Sequence, residues 1–282
     1  MLHPYSGARR REHFGPDGTG SYSSTTYGFD ESNTKTYRFN SLGFRGEEFD
    51  PDAPVKLFVS GCSNSFGVGV DLEESWPFLF KQKLAEQRDL PAPSVNLMNF
   101  SQGGASNDYV TRTLLEQSAQ ACPDVIIAGF THMRRFELLD ETTGFHIGAI
   151  KLEELEQAGG RYAELKRRAE FLILGSDEIQ QKVQMIKNVL LLQYFCRSRD
   201  IPLVFFFFEQ WQREDLPGAL SVPSTRPLYE EMDFGGFVPI ERAMRVDRAA
   251  DGLHPGPRSQ EVLAEAAWTT FTSLADPRSL AR

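Results

Sequence analysis

Three short stretches of this chain carry residues that can do chemistry together. The first reads Gly61-Cys62-Ser63-Asn64-Ser65-Phe66-Gly67-Val68-Gly69. A serine hydroxyl is a weak nucleophile and needs a base to take its proton. Glycines on either side of Ser63 permit tight backbone geometry and close approach of a substrate. The base is available near the other end of the chain, in Ala250-Asp251-Gly252-Leu253-His254-Pro255-Gly256. An Asp and a His three residues apart in a turn can lie side by side. The carboxylate then accepts from one imidazole nitrogen and leaves the other as a base. The chain has only five histidines, so one flanked by Asp251 and the rigid Pro255 stands out. The third stretch is Asn99-Phe100-Ser101-Gln102-Gly103-Gly104-Ala105-Ser106-Asn107-Asp108. Two glycines before a helix start can point free backbone N–H groups into a cleft. Such groups suit a developing oxyanion.

Each stretch has a plainer reading. The first is an ordinary strand-to-helix loop, the second a surface histidine in a turn, the third a turn with a helix N-cap. The elements around them decide. Val55-Lys56-Leu57-Phe58-Val59-Ser60, followed by Gly61, reads as a buried strand. Ser75 caps a helix with Pro77 in its first turn, and Pro91 and Pro93 close that segment. Val95–Phe100 is a second strand. Ser106 or Asn107 then caps a helix that Pro123 breaks, and Asp124–Phe130 is a third strand. Glu178–Arg199 has the apolar spacing of a buried helical face, Leu203–Phe208 is a fourth strand, and a last helix runs over about 259–274. Alternating strands and helices predict a parallel sheet covered on both faces. Ligands in such sheets bind beyond the carboxyl ends of the strands, where the first and third stretches lie.

The remaining segments are less regular. Residues 1–50 are poor in aliphatics and read as an extended arm, with a short strand around Thr36–Asn40. The part from Arg38 to Gly46 carries two glycines and two aromatics and can wrap back onto the core. Residues 51–282 form the main domain, with insertions at about 133–177 and 209–250. A helix is expected over Leu152–Leu165 in the former insertion. The latter reads as irregular, with several prolines.

With the elements in place, the motifs resemble those of the SGNH/GDSL hydrolases. Gly61-Cys62-Ser63 is similar to the family's first block, with Cys62 where Asp is common. Gly104-Ala105-Ser106-Asn107-Asp108 resembles the second block, and Asp251-Gly252-Leu253-His254-Pro255 the last. The resemblance covers roughly residues 55–275. It implies a flavodoxin-like three-layer α/β/α fold with a parallel five-stranded sheet in the order 2-1-3-4-5. It implies a serine esterase: Ser63 as nucleophile, His254 as base, Asp251 as its orienting carboxylate. The oxyanion would rest on the backbone N–H groups of Ser63 and Gly104. One block departs. The family places an Asn within Gly-x-Asn-Asp, and here the stretch is Gly129-Phe130-Thr131-His132-Met133-Arg134-Arg135. Thr131 and His132 are the alternatives for the lost donor. Asn107, Arg134 and Arg135 are expected on the substrate side, the arginines for an acidic substrate group. An acyltransferase with the same triad, and a non-catalytic binding module, remain the competing readings.

Bulk properties narrow the partners. A formal net charge of -9 argues against nucleic acid, which needs clustered Lys and Arg. Cys62, Cys122 and Cys196 are scattered, odd in number and without metal spacing, which points to a reducing, cytoplasmic location. No apolar leader is visible at the start, and apolar runs of about eight residues are too short to span a bilayer. The expected partner is a small-molecule or carbohydrate ester, with no metal or cofactor and no membrane. Two roles stay open for the arm: covering the active-site face, or pairing with a second subunit as a homo-oligomer.

Overall fold

The computed structural model of the chain describes residues 19–22, 35–139, 144–147, 170, 175, 177–208, 222–240 and 246–280. Its centre is a five-stranded, all-parallel sheet. The strands are β3 (Val55–Gly61), β4 (Val95–Asn99), β5 (Val125–Phe130), β8 (Leu203–Phe207) and β9 (Phe237–Val238), in the order β4-β3-β5-β8-β9. That is the expected 2-1-3-4-5 order. Counting the loops after β3, β4 and β5 as first, second and third, the register places Gly61 beside Gly129, so the first and third loops leave the sheet side by side. Close approach explains both glycines: a Cβ on Gly129 would come within 2.5 Å of the Ser65 Oγ.

Side chains of a strand alternate between its two faces. Val55, Leu57 and Val59 join one apolar cluster with Ile127, Val204 and Phe206. Helices α2 (Trp76–Gln87) and α6 (Pro257–Leu274) cover that face through Trp76, Phe80, Leu263 and Phe271. Phe58, Ile126, Ala128, Phe205 and Phe207 point the other way. Helices α3 (Asn107–Ala121) and α4 (Glu178–Arg197) cover them with Val110, Leu114, Met185, Ile186 and Val189. The result is three layers, as the sequence pattern requires.

Other features go beyond expectation. The Arg38–Gly46 part of the arm does wrap back onto the core, and the packing extends to Tyr37: Tyr37, Phe44 and Arg45 are all buried. The arm's strand β2 (Lys35–Arg38) pairs antiparallel with β1 (Thr19–Tyr22). The first insertion contains a hairpin, β6 (Phe136–Leu139) with β7 (Gly144–Ile147), which the sequence pattern does not reveal. The helix expected over Leu152–Leu165 lies outside the described residues. The second insertion supplies both a short helix, α5 (Arg226–Glu230), and the edge strand β9. Two residues of strand carry no alternation to read. Among the described residues, no helix is long and apolar enough to cross a membrane.

Candidate active site

Ser63 opens α1 (Ser63–Phe66), a single turn that starts two residues after β3 ends. Cys62 is its extended N-cap, so the chain turns sharply and presents Ser63 at the sheet edge. The Ser63 hydroxyl has no hydrogen-bond partner among the described residues. Its backbone N–H, at the first helical position, is likewise unpaired, as helix geometry dictates. Gly67 and Gly69 then adopt left-handed backbone, with φ of 78° and 79°, and reverse the chain twice. Other residues are strained in that region.

Asp251 and His254 meet as the sequence predicts. The Asp251 Oδ2 contacts the His254 Nδ1. The Asp251 Oδ1 accepts the backbone N–H of both Leu253 and His254, each at 3.0 Å. The Asp251 side chain is fully buried, whereas that of His254 is 19% exposed. Burial alone pushes the Asp251 carboxyl up; the imidazole and the two backbone donors outweigh it and hold the carboxyl below its usual range. An aspartate so held fixes the ring with Nδ1 inward and leaves Nε2 for other work. Gly252, at φ 68°, makes the turn possible. Asp247 anchors its far end by accepting the N–H groups of Arg258 and Ser259 at the start of α6.

The turn lies against the serine loop. Ala250 N–H donates to the Gly69 carbonyl at 3.1 Å. A Cβ on Gly69 would lie 3.3 Å from the backbone nitrogen of Asp251. At the start of α2, Trp76 N–H donates to Gln260 Oε1, and Gln260 Nε2 reaches the Pro255 carbonyl. Residues 184 positions apart are therefore fastened together at the start of α2.

The second loop matches expectation in its backbone. Gly104 is left-handed at φ 77°, and Ser106 caps α3 by accepting Tyr109 N–H. The Gly104 N–H has no acceptor among the described residues. Asn107 has a role beyond the expected one. Expected on the substrate side, it does line a cavity between α3 and α4, but it is buried and also holds structure: its Oδ1 accepts Thr131 N–H at 2.7 Å, and its Nδ2 donates to the Thr131 carbonyl at 3.0 Å. It grips both ends of one residue in the third loop.

That grip changes the candidates for the missing donor. Thr131 is 1% exposed, its N–H is used by Asn107, and its hydroxyl accepts from Arg135 Nη1 at 2.8 Å. It is a brace between loops and is not presented to a ligand. His132 is half-buried, and its Nδ1 accepts Arg134 N–H at 3.0 Å. A neutral imidazole accepting at Nδ1 carries its proton on Nε2. Arg134 is exposed, while Arg135 is half-buried and also reaches the Ala105 carbonyl at 3.5 Å.

A cavity of about 420 Å³ adjoins these loops, between α3, α4 and the first hairpin strand. Asn107, Asp108, Met133, Arg135, Phe136 and Met185 are among its walls; Ser63, Gly104 and His254 are not. Among the described residues, no group of His, Cys, Asp and Glu is arranged to hold a metal.

Sequence reasoning missed Tyr37 and Arg45. Arg45 donates to the carbonyls of Phe66, Gly67 and Val70, and Tyr37 accepts Gly69 N–H. The signal was faint: one arginine between aromatic and glycine in a segment otherwise poor in core residues.

No family model and no curated protein matches the chain. Among solved structures it is similar to TesA, with TM-score 0.45 and 16% identity over 78% of this chain and 99% of that one. It is similar to the psychrotrophic esterase EstA from Pseudoalteromonas sp., with TM-score 0.42, 13% identity, and 77% and 96% coverage. It is also similar to the acetyl xylan esterase AlAXEase, with TM-score 0.44, 12% identity, and 76% and 98% coverage.

Proposed function

We propose that the chain is a serine hydrolase of the SGNH/GDSL type that cleaves a carboxylic ester through an acyl-enzyme on Ser63. The observation that carries this reading is the buried Asp251 gripping His254 in a turn fastened to the serine loop.

In this reading Ser63 Oγ attacks the ester carbonyl carbon as His254 Nε2 takes its proton. Asp251 stays ionised and stabilises the imidazolium. The carbonyl oxygen, now an oxyanion, lies against the N–H groups of Ser63 and Gly104, both without an acceptor among the described residues. His132 Nε2–H takes the place of the family's asparagine, because Thr131 is already committed to Asn107 and Arg135. The tetrahedral intermediate collapses, the C–O bond breaks, and His254 returns its proton to the leaving alkoxide. Water then attacks the acyl carbonyl with His254 as base, the acyl–Oγ bond breaks to release the carboxylic acid, and His254 returns the proton to Ser63 Oγ. The cavity beside the second and third loops is the space for the bulkier part of the ester.

A fluorophosphonate probe tests the reading. Ser63 is expected to be labelled, with labelling abolished in Ser63→Ala and strongly weakened in His254→Ala. A folded wild-type protein that takes no label would leave a binding module as the better description. Hydrolysis of p-nitrophenyl acetate with and without an added alcohol then separates water from an alcohol as acceptor. Acyl transfer without hydrolysis would replace esterase by acyltransferase.

A further inference from the structure

We infer that Tyr37 and Arg45 are positioning residues that set Ser63 against the Asp251–His254 pair. The inference rests on the serine-hydrolase reading and extends it to a segment that holds none of its reacting groups.

The starting point is a deficit. Helix α1 is one turn long, and the chain reverses at Gly67 and again at Gly69. The carbonyls of Phe66, Gly67 and Val70 consequently find no regular ladder, and buried carbonyls need donors. The Gly67 carbonyl has Val70 N–H at a long 3.4 Å, and one guanidinium reaches all three. Arg45 Nη1 donates to Phe66 and Gly67, both at 2.7 Å, and Nη2 to Val70 at 2.8 Å. A planar fork with five donors can span three acceptors; an ammonium on a flexible stem cannot hold the same plane. Arg45 is 2% exposed. Its guanidinium carbon lies 4.4 Å from the Tyr37 ring centre and 5.3 Å from that of Phe66.

Tyr37 adds the fourth tie. Its hydroxyl oxygen accepts Gly69 N–H at 2.8 Å. The other face of the same glycine meets the catalytic turn, through its carbonyl to Ala250 N–H. Gly69 is thus held between Tyr37 and the residue before Asp251. Together, Arg45 fixes the loop that follows Ser63, and Tyr37 fixes the point where that loop touches the Asp251–His254 turn. The distance between hydroxyl and imidazole is set from outside both. A misplacement of about 1 Å by a change remote from the chemistry can cost on the order of 10²-fold in rate.

The test uses the full chain with three variants, Tyr37→Phe, Arg45→Lys and Arg45→Met. Tyr37→Phe removes one hydroxyl from a ring that keeps its packing. For each protein, the folded fraction, the rate of fluorophosphonate labelling at Ser63, and kcat and KM on p-nitrophenyl acetate are measured well below the melting temperature. The expected result is a fall in kcat and labelling rate of about ten-fold for Tyr37→Phe and on the order of 10²-fold for Arg45→Lys. KM should stay within about two-fold, and Arg45→Met should be no better than Arg45→Lys. Wild-type kcat per folded molecule in Tyr37→Phe and in whichever Arg45 variant folds would overturn the inference. So would a loss confined to KM. Absence of labelling in the wild type would instead sink the hydrolase reading itself.

Discussion

The first and third loops leave neighbouring strands at the same edge of the sheet, yet they are held in opposite ways. The loop after Ser63 is tied from far away in sequence: by Arg45 and Tyr37 upstream, by Asn99 Nδ2 on the Ser65 carbonyl, and by Ala250 on Gly69. The loop at Thr131 has one distant clamp, from Asn107 in the preceding loop, and otherwise ties within itself. Asn107 clamps Thr131, Arg135 braces its hydroxyl, and Arg134 N–H pins the His132 ring. A nucleophile must meet a base from another part of the chain, so its loop needs distant anchors. An oxyanion donor needs only the right local pose. The contrast predicts that the first loop is vulnerable to several remote substitutions and the third to adjacent ones and to Asn107.

The largest expected effect sharpens the first half of that contrast. Asp251→Asn keeps the shape of the turn but lets the His254 ring lose its tautomer and orientation, so kcat should fall by about 10⁴-fold. The same variant has a signature in acid. The native Asp251 carboxyl titrates below its ordinary value because His254 and two backbone N–H groups favour its charged form. Its contribution to stability is therefore full above the unfolded-state pKa and is lost as pH falls through the lower, native one. Urea titrations from neutral pH down to about pH 3 should show a steeper loss for the wild type than for Asp251→Asn. Parallel curves would mean that the carboxylate is not held as described.

The next effect probes the third loop. Removing an oxyanion donor costs about 10²–10³ in kcat. His132→Ala should fall in that range, and His132→Asn, which restores an N–H donor, should recover part of it. Thr131→Val should cost much less, since its hydroxyl braces Arg135. A larger loss for Thr131→Val than for His132→Ala would reverse the assignment of the donor.

The smallest effect is on stability. Asn107→Ala leaves the buried N–H and carbonyl of Thr131 without their partner, a cost of about 1–3 kcal/mol for an unsatisfied buried group. Chemical denaturation should report it as a lower midpoint with an unchanged slope. A neutral result would show that the third loop has other support, and that the two loops are less different than their contacts suggest.

Much of the fold was legible along the chain. Val55–Gly61, Val95–Asn99, Val125–Phe130 and Leu203–Phe207 are apolar runs bounded by Gly or Pro, and four strands separated by helical segments admit few topologies. The edge strand Phe237–Val238 was not legible, because two residues carry no period. The hairpin at 136–147 was hidden in a polar insertion for a similar reason. At the site, the Asp251–His254 pair was readable because its geometry is local, spanning four residues. The clamp of Asn107 on Thr131 was not legible. A buried asparagine whose partner lies in another loop resembles, in sequence, any polar residue near a helix start.

Residue types and local spacing determined the parallel sheet, the serine at a strand end and the self-contained Asp–His turn, because each depends on contacts within a few residues or on a simple period. Only the tertiary structure decided that Asn107 serves Thr131, that Thr131 is spent, and that Tyr37 and Arg45 belong to the serine loop. Those assignments depend on which carbonyls and N–H groups lack a local partner once the chain has folded, and that deficit appears only when distant segments are brought together.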